Sequence, residues 1–227
     1  MNMTPETRLL QLATMVLTDH NQLHPVCSEE YPVYLFSETS DNQDSVLVVG
    51  ASMAGGYRSH TVIIIDDTEK GNSGYPGASA WKEILKARHR RRGLADPDNI
   101  RVVPLTPGAL LNTLTESIAI ASVAKEEKWS ELIIVAPPFH QLRAFVSMVT
   151  ALLYVGYPTL KVYNRVGSQL PWQKEARHSQ GTLTAKRTEL ILTELERIMK
   201  YQQGGTPCPL LPTERVMEYL EWRDRCP

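Results

Sequence analysis

Five short apolar runs, each followed by a stretch of helical character, constrain this 227-residue chain more than any other feature. They are 33–36 (VYLF), 61–66 (TVIIID), 100–103 (IRVV), 131–136 (ELIIVA) and 159–163 (TLKVY). Most are β-branched and too short for a buried helix. Alternation of this kind specifies a parallel sheet covered by helices on both faces, because each parallel strand needs a crossover that returns along the sheet. The expected fold class is therefore α/β, a three-layer α/β/α sandwich with about five parallel strands.

The helices between the runs follow from their punctuation. Thr4 before Pro5 suits an N-cap with proline at the first helical position, so a helix is expected from Thr4 to about His20. Further helices are expected over 78–92, 113–128 and 140–155, the last stopped by Gly156. Segment 44–57 (DSVLVVGASMAGGY) fits either a helix or a strand ending at Gly50. The helix is preferred, because a strand at 46–50 leaves ten residues before the next run, too few for a parallel crossover. A hairpin is the alternative.

After Tyr163 the sequence turns polar, and 164–181 carries no clear element. An amphipathic helix is expected over 186–199 and a short final helix over 212–222, with 204–209 (GGTPCP) as a turn-rich linker between them. Residues 1–165 thus read as the α/β domain with its N-terminal helix. Residues 166–227 read as a helical C-terminal extension packed on the same domain. At about 150 residues per domain, the length allows one domain with appendages.

Composition narrows the function classes. Lys and Arg total 24 against 25 Asp and Glu, so a net charge near −1 gives no general attraction for nucleic acid or an anionic membrane. The basic run Arg88–Arg92 ends an expected helix, where cations favour the dipole, and reads as a solvated face. The first residues lack the basic and apolar regions of a signal peptide. The longest apolar stretch, 144–155, falls short of the roughly 20 residues of a membrane span. A cytoplasmic protein is expected. Cys27, Cys208 and Cys226 form no CxxC pair and read as free thiols. The histidines show no HxxH or HExxH spacing, so no metal site is expected from sequence.

In open α/β sheets ligands bind beyond the carboxyl ends of the strands, where helix N-termini present backbone N–H groups. Three post-strand segments are candidates. After the second run, Asp66, Asp67, Gly71 and Gly74 form an acidic, glycine-containing loop that either approaches a ligand or is an ordinary turn. After the third, Asn112, Thr113, Thr115 and Glu116 crowd a helix start. They either cap it or offer donors to an anion, with Glu116 as acid/base. After the fourth, His140 and Arg143 share one face of a first helical turn, a proton-transfer group beside a fork suited to phosphate or carboxylate. His140 and Glu116 are the expected catalytic pair. Asp66, Asp67 and Glu116 could also hold Mg²⁺ against a phosphate.

These three blocks resemble the ElyC/SanA/YdcF family over residues 30–165. His140, Arg143 and Ala144 match the end of its strand–His–x–x–Arg–Ala block residue by residue. Asn112, Thr113, Thr115 and Glu116 are similar to its Asn/Thr–x–Glu helix start. Ala136–Pro138, Ser117–Ile118 and Ile65–Asp67 depart from the family pattern. The resemblance implies a Rossmann-like sandwich with a polar cleft at the strand ends, and a soluble member without anchor helices. It does not deliver a substrate, although a nucleotide-like ligand such as S-adenosylmethionine is a candidate for the soluble kind; Arg143 and the helix N-termini are what point to a phosphorylated or nucleotide-like small molecule. Turnover, ligand binding without turnover, and a ligand-free interaction role are the three functions left open.

Overall fold

The computed structural model describes residues 4–19, 31–54, 60–66, 74–93, 97–178, 181–204 and 207–225. Five strands, β1 (Val33–Leu35), β2 (Val62–Asp66), β3 (Ile100–Pro104), β4 (Glu131–Ala136) and β5 (Lys161–Val166), form one parallel sheet in the order β3-β2-β1-β4-β5. Helices α2 (Gln43–Ala54) and α3 (Ala78–Arg91) pack together, as do α4 (Thr113–Glu127) and α5 (Gln141–Val155). Right-handed crossovers put these pairs on opposite faces of the sheet, the three-layer Rossmann-like arrangement. Val62–Ile65 and Leu132–Val135 are buried throughout, which is why the central strands read as unbroken apolar runs.

Segment 43–54 is a helix, the preferred reading, since β1 and β2 are parallel neighbours and need a crossover between them. Residues 55–57 of that segment lie outside the described residues. Helix α1 (Pro5–Thr18) starts where expected, with Thr4 Oγ1 accepting from Thr7 N at 3.3 Å. Gly156, at φ 71°, ends α5. In the basic run, Arg90, Arg91 and Arg92 are exposed but His89 is buried, so that face is only partly solvated.

Two expectations need correction. The fifth strand starts later than expected and runs on through Asn164 and Arg165, because Asn164 is buried with partners for its polar groups. Its backbone N–H and Nδ2 both donate to Asp19 at 2.9 Å, and its Oδ1 accepts from Gln141 Nε2 at 2.9 Å. The C-terminal extension is not purely helical: β6 (Glu175–His178) pairs antiparallel with β7 (Leu183–Lys186) ahead of α6 (Arg187–Gln203) and α7 (Thr213–Arg225).

The extension is held to the sheet by buried polar contacts. Arg223 donates to both oxygens of Asp19 at 2.7 and 2.8 Å and to Val162 O at 2.8 Å. The Tyr219 phenol donates to Leu160 O at 2.7 Å and accepts from Val162 N at 2.8 Å. Together with Asp19, these side chains occupy the outer hydrogen-bonding groups of β5, an edge strand that would otherwise be open to further pairing. Arg187, fully buried, donates to Asn42 Oδ1 and to the carbonyls of Asp41 and Pro171 at 2.6–3.0 Å. Among the described residues no helix is long and apolar enough to cross a membrane.

Candidate functional site

The strand order reverses direction between β1 and β4, and a cavity of about 510 Å³ opens at the carboxyl end of that pair. This is where the topology of an open α/β sheet leaves a crevice. Its walls come from the residues after β1 (Ser37, Glu38, Thr39), the start of α4, His140 and Arg143 at the start of α5, His178 of β6, and Arg197 and Tyr201 of α6.

His140 occupies the position before α5, yet its ring makes no cap hydrogen bond. Nδ1 lies 2.6 Å from Glu194 Oε2, so it carries the proton, and Nε2 is turned to Thr113 Oγ1 at 3.5 Å. Burial holds the His140 pKa below its ordinary value, with Arg143 adding to that effect and Glu194 opposing it. Burial thus favours the neutral imidazole, which a carboxylate orients. Glu194 is held well below the usual carboxylate range, because Arg143 and the two histidines outweigh its burial.

Arg143 was expected to offer its fork to a ligand. Instead Nε donates to Glu194 Oε2 at 2.6 Å, Nη2 to Glu194 Oε1 at 3.2 Å, and Nη1 to Thr113 Oγ1 at 2.7 Å. The guanidinium is thus committed to an internal carboxylate, while the residue still lines the cavity. Thr113 is buried and joins Arg143 to His140.

Glu116 is buried in the first turn of α4. Its Oε2 accepts from Tyr34 Oη at 2.5 Å and from Ser37 N at 3.1 Å. Burial, with Glu38 adding to it, pushes its carboxyl up to about 7 against these hydrogen bonds. Glu116 and His140 both line the cavity, the carboxyl with a raised and the imidazole with a lowered pKa, so burial favours the uncharged form of each.

The remaining expected residues divide. Asn112 caps α4 through Oδ1, which accepts from the backbone of Leu114 and Thr115 at 3.0 Å, and it also lines the cavity. Thr115 is consumed by capping: its hydroxyl accepts from Asn112 N at 3.0 Å and donates to Leu110 O at 2.7 Å, and it faces a separate hollow. Asp66 lies at the end of β2, one strand away from the crevice, and does not line the cavity. Gly74 also lies off the cavity, its carbonyl accepting from Ser40 N at 3.2 Å, while its neighbour Tyr75 reaches it. Asp67 and Gly71 lie outside the described residues.

Sequence reasoning missed Glu194, His178 and Glu38. Glu194 sits between Leu190 and Ile198 on the buried stripe of α6, and a carboxylate within an i, i+4, i+8 apolar stripe was the available signal. His178 shares the buried face of β6 with Ala176, too small a pattern to stand out. Glu38 follows β1, at a strand end where ligands are expected.

The fold brings His140, His178 and Glu194 together despite the lack of a metal-binding spacing, with one ligand atom from each within 4.8 Å of the others. Glu194, however, already faces Arg143 and has Arg197 Nη1 at 3.5 Å from Oε1. Two guanidinium charges beside the shared carboxylate oppose a cation there.

No family model and no curated protein matches the chain. Among solved structures it is similar to the U34-tRNA thiolase NcsA from Methanococcus maripaludis with its [4Fe-4S] cluster, at 13% identity and a TM-score of 0.36, over 100% of this chain and 82% of that one. Similarity at that level says nothing about activity.

Proposed function

We propose that this protein is an enzyme acting on a phosphorylated or nucleotide-like small molecule held in the cavity between β1 and β4. The reading is carried by one observation: His140, with Nδ1 fixed on Glu194 at 2.6 Å, turns Nε2 toward the Thr113 hydroxyl at the cavity wall. A neutral imidazole so oriented is a general base, and Glu116, with its carboxyl near 7, is a general acid in the same space. Arg197, Arg143 and His178 supply the positive groups of the lining. The His140–Arg143–Ala144 block that carries the resemblance to the ElyC/SanA/YdcF family stands at this wall, which favours the same cleft. A cytoplasmic setting belongs to the proposal, and the free thiol of Cys208 suits it.

The test is a thermal-shift and calorimetric screen of wild type and His140→Gln against nucleotides, S-adenosylmethionine, sugar phosphates and inorganic phosphate, with and without Mg²⁺. A ligand at about 100 times its Kd adds about 2.7 kcal/mol of stability. A wild-type shift that shrinks in His140→Gln, followed by product formation on incubation, supports an enzyme. Saturable binding without product makes the protein a binding module. No shift from any compound overturns the small-molecule reading.

A further inference from the structure

Glu38 and His178 differ from the rest of the cluster in what they leave unused. Both side chains line the cavity and are only 4% and 3% exposed. Glu38 Oε1 and His178 Nδ1 nonetheless have no hydrogen-bond partner, and Nδ1 lies 3.7 Å from Glu38 Oε2, beyond hydrogen-bonding range. Buried polar atoms are almost always paired, and an unpaired one is costly.

The protonation of His178 follows from its other nitrogen. Nε2 donates to Glu194 Oε1 at 3.0 Å. A neutral ring would then aim a lone pair from Nδ1 at the Glu38 carboxylate, whereas an imidazolium presents an N–H there. The two flanking carboxylates favour the imidazolium. A donor, His178 Nδ1, and an acceptor, Glu38 Oε2, thus stand 3.7 Å apart on two residues that line the cavity, a gap that one oxygen about 2.8 Å from each would bridge.

The chemistry of that oxygen is restricted. A phosphate or carboxylate oxygen accepts from His178 but is repelled by Glu38, and an ammonium donates to Glu38 but cannot accept from His178. A divalent cation would meet the Nδ1 proton. A hydroxyl does both jobs, donating to Glu38 and accepting from His178. A carboxylate beside the crevice of a parallel sheet takes up ribose hydroxyls by the same chemistry.

We propose that Glu38 and His178 form a hydroxyl-recognition subsite, which makes the ligand of this cavity a sugar- or ribose-bearing molecule. The proposal rests on the small-molecule reading of the cavity and narrows it.

The experiment is isothermal titration of the full chain with two matched pairs, AMP against 2′-deoxyAMP and ribose 5-phosphate against 2-deoxyribose 5-phosphate, with inorganic phosphate as the control. Wild type is expected to bind the hydroxyl-bearing member of at least one pair about tenfold or more tightly, the worth of one hydrogen bond to a charged group. Glu38→Gln is expected to reduce that preference to about threefold or less. Equal binding of both members of both pairs by wild type overturns the subsite and leaves the cavity reading standing. A preference unchanged in Glu38→Gln overturns the assignment to Glu38. Failure of every probe, phosphate included, overturns the cavity reading and the subsite with it. Should Glu38→Gln not fold, the wild-type comparison decides alone.

Discussion

Oε2 of Glu194 lies 2.6 Å from Nδ1 of His140, and Arg143 Nε stands at the same distance from the same oxygen. One carboxylate therefore balances a buried guanidinium and sets the tautomer of the candidate base. Glu194→Ala removes the counter-charge and leaves Arg143 buried alone, with an expected loss of about 3–5 kcal/mol in a urea titration. The Arg143→Met/Glu194→Leu double variant, which removes both charges, should lose clearly less than the two single variants summed.

Glu116 gives the stability curve a particular pH dependence. Its folded-state carboxyl is raised from 4.5 to about 7, so the folded protein holds a proton that the unfolded chain releases. The contribution is complete below pH 4.5 and is lost as pH rises through 7, in total about 3 kcal/mol. Glu116→Gln keeps an acceptor for Tyr34 and Ser37 but cannot titrate. Its stability relative to wild type should rise by that amount between pH 4.5 and 8, as read from denaturant midpoints. A flat difference would exclude a raised pKa.

Gly167 follows β5 where the chain crosses the end of β4. A Cβ there would lie 2.5 Å from Ser45 Oγ and 2.8 Å from the Ala136 carbonyl oxygen. Gly167→Ala should destabilise by about 1–3 kcal/mol, and adding Ser45→Ala should not restore the loss, because the backbone oxygen remains. Thermal midpoints of wild type and the two variants test this.

Tyr219→Phe deletes a single oxygen that serves two backbone groups, Leu160 O just before β5 and Val162 N within it. Both groups are buried beneath α7, so the expected cost is about 1–3 kcal/mol for each one left unpaired. Faster amide exchange at Val162 would localise the effect to the strand edge.

The sheet was legible because strands buried on both faces must be apolar throughout, as Val62–Ile65 and Leu132–Val135 are. Helix ends were legible where one residue has a local task, as with Asn112 capping α4 or Gly156 adopting the left-handed conformation. The candidate site was legible only in part. Glu116, His140, Arg143 and Thr113 lie beside strand ends, so topology points to them. His178 and Glu194 come from a hairpin and a helix beyond the sheet, and no local pattern relates them to residues 16 and 54 positions away. Asp66 looked equivalent to Glu116 in sequence because strand order, which places β2 one position off the crevice, is not written in the runs themselves.

Glu194 and His178 also lie downstream of every strand of the main sheet. During synthesis on a ribosome the α/β layers can emerge and begin to fold before α6 leaves the exit tunnel. Until then Arg143 has no carboxylate to face and His140 no group to fix its tautomer. The nascent protein would therefore pass through a stage that has its architecture and lacks its chemistry. Under the proposed function, proton-transfer capacity would switch on only when the last quarter of the chain wraps back over the crevice.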